Sequence, residues 1–337
     1  MVNKHAGRQS FTLKQNVVIQ GWSSVVGKKE SEGPLGSYFT KVINDSYMNQ
    51  KTWEQSEIQL QKMALEALLE KTRKSRGNID AVISGDLLNQ CISSSSSLSN
   101  MNIPHLGLYG ACSTMAESLL VGAMVVNGGY YENVVAITSS HFASSERQFR
   151  FPLDYGGQRP PTSQWTVTGS GAILLGCTGN GPKITACTTG TVVDFGITDA
   201  NNMGAAMAPA AFSTIKAHLT DLNENLDNFD LIVTGDLGAV GVEALIKLSI
   251  ANGMDLSGKI FDCGVEIFDR KTQDVHAGGS GCGCSAVVLC GKLLDLLNTG
   301  RLKRILFCGT GALLSPTSVQ QGLSIPGICH AVAIEGV

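Results

Sequence analysis

A chain of 337 residues can bury one large core or two medium ones, which excludes intrinsic disorder and a small disulfide-stapled scaffold. It is 43% hydrophobic, only 16% charged and 6% aromatic, with 39 glycines against 9 prolines, the composition of a compact Gly-rich globular protein. Twenty-five basic residues against 28 acidic ones, with no polybasic tract, give a phosphate backbone nothing to hold, so no nucleic-acid partner is expected.

The elements alternate along the chain. Leu60, Met63, Ala64, Ala67 and Leu68 fall on one helical face of residues 57–71, and Asp80–Ser84 follows as a short buried strand. Ala116, Leu119, Leu120 and Ala123 repeat the helical spacing over 113–126, Gly128-Gly129 stops that helix, and Val134–Thr138 resumes strand character. Helices alternating with β-rich runs predict a mainly parallel α/β sheet.

The second half echoes the first. Asp80–Leu87 (DAVISGDL) returns as Asp230–Leu237 (DLIVTGDL), and Cys112-Ser with a glycine 16 residues on (Gly128) returns as Cys284-Ser with Gly300. Two echoes in the same order predict duplicated α/β halves, 1–177 and 178–337, joined near 177–183. Ten cysteines are too few for a disulfide framework, and several sit in apolar runs (Cys177, Cys290), so a reducing compartment is expected. The N-terminus lacks a signal-peptide apolar stretch and no run reaches the ~20 residues of a bilayer span, so any membrane contact is expected to be peripheral.

Several residues can carry chemistry. Cys112, in YGACSTMAES, is placed at a helix N-terminus by a Tyr-Gly turn with Ser-Thr as caps. That position favours thiolate; the alternative is a small buried residue where the helix leaves the sheet. His141 follows VVAITSS at a strand end, where ligands of α/β sheets collect, with a backbone-satisfied histidine as the alternative. The segment Glu146–Trp165 gathers Arg147, Arg150, Arg159 and four aromatic residues, and reads as a loop that encloses a flat anion or meets a second subunit. Ala277–Ser285 (AGGSGCGCS) reads as close helix-to-sheet packing, not a phosphate cradle, and Cys282 and Cys284 do not make a zinc site, so no metal is expected.

Duplicated halves with a cysteine opening the central helix resemble the thiolase and ketoacyl-synthase superfamily. Whole phrases are closer still: GDLLNQ (85–90), GACSTMAES (110–118), TSSHFASSERQFRFPLDYGGQRP (138–160), TVTGSGA (166–172), MGAAMAPAA (203–211), AGGSGCGCSAVV (277–288) and GALLSPTSVQQGLSIP (311–326) resemble the stage V sporulation protein AD family of endospore formers. The resemblance implies a thiolase-like α/β/α/β/α layered fold and a homodimer. It also implies a non-enzymatic role: binding dipicolinate (pyridine-2,6-dicarboxylate), as its calcium chelate, for uptake into the developing spore. Partner proteins of the same channel, and peripheral association with the spore inner membrane, come with it. Where ketoacyl synthases carry a His motif this chain reads Thr234-Gly235-Asp236-Leu237, and the Asn position falls near Ser280, so both partners are missing, the acyl-transfer machinery is incomplete and no catalytic residue is expected.

The expected ligand site has Cys112 and His141 as floor, Asp86 and Ser140 at neighbouring strand ends, and Arg150, Gln158 and Arg159 in the loop above. Asp86 and Asp236 would repel a bare dianion, so they fit only if calcium or an intervening donor accompanies it. The alternative functions are an acyl-CoA thiolase or synthase using Cys112, and a structural adaptor whose pocket binds nothing.

Overall fold

The computed structural model describes residues 5–149 and 158–337. Its strands are β1 (His5–Ala6), β2 (Ser10–Gly27), β3 (Lys41–Ile43), β4 (Ala81–Gly85), β5 (His105–Gly107), β6 (Asn133–Ser140), β7 (Trp165–Thr166), β8 (Gly169–Gly176), β9 (Lys183–Thr188), β10 (Leu231–Thr234), β11 (Ile260–Asp262), β12 (Gly279–Ser280), β13 (Arg304–Ala312) and β14 (Gly327–Glu335). The helices used below are α1 (Lys28–Ser31), α2 (Trp53–Thr72), α3 (Ile92–Ser97), α4 (Thr114–Asn127), α5 (Phe142–Phe149), α6 (Met203–Asp221), α7 (Gly238–Ala251), α8 (Cys263–Glu266) and α9 (Cys282–Val288).

The main sheet runs β11-β10-β13-β14-β9-β2-β8-β6-β4-β5. Outward from its centre, each side repeats one scheme. On one side β2 pairs antiparallel with β8 and β8 with β6, after which β6–β4 and β4–β5 are parallel. On the other, β9–β14 and β14–β13 are antiparallel and β13–β10 and β10–β11 parallel. The sheet is therefore mixed, with its parallel strands at the two flanks. Helix-connected strands explain the parallel pairs, since a crossover helix returns the chain in the same direction. The centre is made by β2, whose early residues pair with β9 and later residues with β8.

Helices form layers about the two sheet regions. α2 packs on β2, β8 and β6, and α6 packs on β13 and β14. Between the regions lie α4, against β6, β2, β13 and β14, and α9, against β8 and β6. Both inner helices are apolar almost all round, as a helix covered on both sides must be: Met115, Ala116, Leu119 and Leu120 of α4 and Ala286, Val287 and Val288 of α9 are buried in one cluster with residues from both halves. Glycine sets the spacing of these layers. A Cβ at Gly171 in β8 would stand 2.6 Å from the carbonyl oxygen of Ala286 in α9, so only glycine lets that helix touch that strand.

Two local expectations change. Glu146–Phe149 belongs to α5 and is not loop, because FASSERQF turns Ser144, Ser145 and Glu146 into the protein and leaves Arg147 half exposed. Cys284 also does not repeat the geometry of Cys112: it lies inside α9, fully buried, whereas Cys112 lies in the 3₁₀ turn Ala111–Ser113 ahead of α4. Among the described residues, no helix is long and apolar enough to cross a membrane.

Candidate functional site

The turn carrying Cys112 is built by local hydrogen bonds. Ser113 Oγ donates to the Gly110 carbonyl (2.6 Å) and Thr114 Oγ1 to the Ala111 carbonyl (2.6 Å), so these hydroxyls bond backward and do not cap α4 as the sequence suggested. Ala111 is held at φ +51°, a left-handed conformation that a residue with a Cβ adopts only when its surroundings impose it. The strained turn aims Cys112 at a cavity of about 350 Å³. Tyr109, Glu146, Phe149, Asn201 and Ser280 share its walls.

Behind Cys112 is Asp236, fully buried just beyond the end of β10. Gly281 N–H donates to its Oδ2 (2.8 Å) and Thr310 Oγ1 to its Oδ1 (3.0 Å), and the Cys112 thiol lies close enough to be coupled to it electrostatically. Gly281 reaches it through φ +105°, a conformation reserved for glycine. Burial pushes the Asp236 carboxyl up to about 7, against the pull of its hydrogen bonds and helped by the charge of Asp262. Burial also pushes the Cys112 thiol well above its usual value, and Asp236 adds to the rise by its charge. Gly281 N–H and the Ser280 hydroxyl oppose that rise but do not reverse it. The helix-terminus argument for a thiolate is thus overridden: desolvation and a neighbouring carboxyl outweigh ~0.3–1 kcal/mol from a helix dipole.

The other expected site residues disperse. Asp86 is buried, but its carboxylate turns away from the cavity to accept from Leu88 N–H (2.9 Å), Ser94 N–H (2.7 Å) and Ser94 Oγ (2.6 Å), holding the start of α3. Its neighbour Leu87 is the residue that lines the cavity. Ser140 Oγ donates to the Val167 carbonyl (2.7 Å) and accepts from Gly283 N–H (3.2 Å), which ties β6 to the first turn of α9.

His141 does not share a floor with Cys112. Its Nε2–H donates to the Ser46 carbonyl (3.0 Å), its Nδ1 accepts from Ala143 N–H (3.2 Å), and it lines a separate cavity with Trp53 and Trp165. Burial lowers its pKa, so both ring nitrogens are satisfied in the neutral form. Gln158 is exposed, and the Arg159 guanidinium lies 4.5 Å from the Trp165 ring centroid, on the side of that second cavity. Arg150 lies outside the described residues.

Sequence reasoning missed Glu57 and Glu146. Glu57 is fully buried, accepts from Ser139 Oγ (3.0 Å) and Ser144 Oγ (2.6 Å), and is pushed up to about 8 by burial and then by the charge of Asp86. The available signal was its position: Glu57 stands three residues before Leu60 on the apolar stripe of α2, where a charge demands partners. Among the described residues, no group of three or more His, Cys, Asp or Glu side chains converges as metal ligands.

The molecule resembles solved thiolase-like enzymes in fold. A crystal structure of an OleA variant from Xanthomonas campestris superposes with a TM-score of 0.62 at 15% identity, covering 96% of this chain and 99% of that one. The crystal structure of 3-oxoacyl-[acyl-carrier-protein] synthase III from Aquifex aeolicus VF5 gives 0.57 at 12% identity, covering 95% and 99%. In sequence the chain is 44% identical over 332 residues to stage V sporulation protein AD of Bacillus subtilis (strain 168), covering 98% of both. Residues 7–335 match the family described as stage V sporulation protein AD. The strained Cys112 turn, the duplicated sheet and this match along the whole chain lead to one conclusion: the chain belongs to the stage V sporulation protein AD family.

Proposed function

We propose that the Cys112 cavity binds dipicolinate, entering as its calcium chelate, and that the chain is a non-enzymatic receptor for its uptake into the developing spore. The observation that carries this reading is the partner of the cysteine. Acyl transfer needs a thiolate and a base that takes its proton. Here the sulfur faces a buried carboxyl that raises the thiol pKa, so the neutral thiol is the resting form. A cavity of about 350 Å³ remains, within the usual range for small-molecule sites.

Its lining suits a flat, partly polar ligand. Tyr109 and Phe149 supply ring surface, and Ser145, Thr166, Asn201 and Ser280 supply hydrogen-bonding groups. A bare dianion would meet the carboxyl of Glu146 at the wall and that of Asp236 behind Cys112. The calcium chelate is neutral, and it leaves the cation seeking further oxygen ligands beyond the pyridine nitrogen and two carboxylates. Glu146 is suited to that task. The receptor role carries with it, as parts of the same proposal, a homodimer, docking to the membrane proteins of the channel, and peripheral association with the spore inner membrane.

Calorimetry with dipicolinate, with and without calcium, tests the reading. A saturable heat that is stronger with calcium and weakened in Cys112→Ala and Glu146→Gln is expected. No saturable heat in either condition sinks it.

The competing reading, an acyltransferase, draws on the position of Cys112 in a strained turn at the cavity wall. Incubation with acyl-CoA followed by intact mass decides it. An adduct absent from Cys112→Ala establishes the enzyme; an unmodified wild-type mass removes it.

A further inference from the structure

The cavity that His141 lines is larger, about 540 Å³, and is separated from the Cys112 cavity by α5. Ser145, Glu146 and Phe149 of that helix face the first cavity, while Phe142 and Ala143 face the second. The wall of the second is a row of rings. Trp53, braced by a stack on Tyr47 (3.6 Å between centroids), is followed by His141 at 5.4 Å. Phe142, the next residue, stacks on Trp165 at 3.9 Å and 7°.

The rim of this ring-lined cleft carries charges of both signs, Lys28 and Lys29 with Glu30 and Glu32. Lys28 and Lys29, at the start of α1, both line it, and the Lys29 ammonium lies 4.0 Å from the Trp165 centroid. One Lys29 N–H is spent on the Gln273 carbonyl (2.6 Å); a carboxylate can take the others. Of the two acidic groups that also line it, Glu30 is buried and pushed up to about 7 by burial, and it accepts from Thr168 N–H (2.9 Å). Glu32 is exposed in a loose pair with Lys28 (3.8 Å). Asp274, also exposed, acts on Lys29 only through space.

We infer that this cleft is a second ligand site, distinct from the Cys112 cavity, that takes a small planar aromatic carboxylate: the ring lies along the Trp53–His141–Phe142–Trp165 wall and the carboxylate meets Lys29 and Lys28. Ring stacking supplies the shape preference and the ammonium groups the charge preference. Burial lowers the Lys29 pKa, the sign of an ammonium short of water that an anion would restore. His141, with both nitrogens already bonded, serves as wall and not as donor. The inference stands apart from the Cys112 reading, because it uses none of that cavity's walls.

Tryptophan fluorescence of the full chain, titrated with pyridine-2-carboxylate, tests it. Trp22 is buried and bonded to Asp295 (2.9 Å), so a change in emission reports Trp53 and Trp165. Expected is saturable quenching whose Kd rises at least tenfold in Lys29→Gln and in Lys28→Glu, is unchanged in Cys112→Ala, and is at least tenfold weaker for cyclohexanecarboxylate. Lys28 is exposed, so Lys28→Glu keeps the test valid even where Lys29→Gln disturbs folding. Absence of saturable quenching, equal affinity in both lysine variants, equal affinity for the non-planar acid, or loss of quenching in Cys112→Ala each overturns the inference.

Discussion

The two halves each end a parallel strand in the same turn, Gly-Asp-Leu, yet the two aspartates do opposite things. Asp86 accepts from Leu88 and Ser94 and stabilises the backbone that leads into α3. Asp236 accepts from Gly281 and Thr310, and its charge opposes ionisation of the Cys112 thiol at the cavity wall. Neither role is written in the turn. Each is set by what the rest of the fold packs beside it: Ser94 of α3 in one case, the left-handed Gly281 and the Cys112 turn in the other. The same turn thus anchors backbone in one place and faces a cavity-lining thiol in the other through its neighbours alone.

Substitutions at the two positions should separate these roles. The largest effect is expected for Asp86→Ala, which leaves two N–H groups and a hydroxyl without an acceptor in the core. A loss of roughly 3 kcal/mol in urea unfolding is expected, and a change under 1 kcal/mol would show that water replaces the carboxylate. Asp236 should reveal itself through pH. Its folded pKa, about 7, lies above the ~3.9 of an unfolded aspartate, so its favourable contribution is complete below ~4 and is lost as pH rises through about 7. Wild type should therefore lose up to ~1.4 kcal/mol per pH unit more than Asp236→Asn across that window; parallel curves would mean that Asp236 stays ionised.

A third effect is chemical. Asp236→Asn removes the charge that opposes ionisation of Cys112, so alkylation by iodoacetamide at pH 8 should quicken about tenfold, one pKa unit's worth. Asp86→Asn should leave that rate unchanged, and the same rise in both variants would break the distinction. The smallest effect is expected for Thr310→Val, which removes one donor to Asp236 at about 1 kcal/mol in thermal or urea unfolding. It should quicken Cys112 alkylation by no more than about threefold, since a less ionised Asp236 opposes the thiolate less while Gly281 N–H remains bonded.

Much of the fold was legible because it rests on periodicity. The stripe over 57–71 became α2, and VVAIT became the middle of β6. The echoed DAVISGDL and DLIVTGDL lead into β4 and β10, which hold matching places in the sheet. The Cys112 turn was legible too, since YGACST carries its own chemistry. What sequence could not supply was direction. Whether Asp86 or Asp236 faces Cys112 depends on contacts with residues far along the chain, such as Gly281 and Thr310. His141 stands one residue past a strand end in the sequence, but its ring turns to the Ser46 carbonyl, a contact across 95 residues. The α5 helix was hidden because its aromatic and arginine content suggested a loop, although Ser144, Ser145 and Glu146 on one face marked a buried side.

The long central strand β2 has a mechanical meaning. Val18 to Val26 are hydrogen-bonded into one half, while Ser10 to Thr12 and Val17 to Val18 are hydrogen-bonded into the other. A clamshell motion of the halves would have to tear that ladder, so the seam between them is a weld and not a hinge. A ligand of either proposed site would therefore enter through the mouth of its cavity and not through an opening of the seam. Under that proposal, selectivity would come from the shape and charge of an opening, and loading would need no large rearrangement of the two halves.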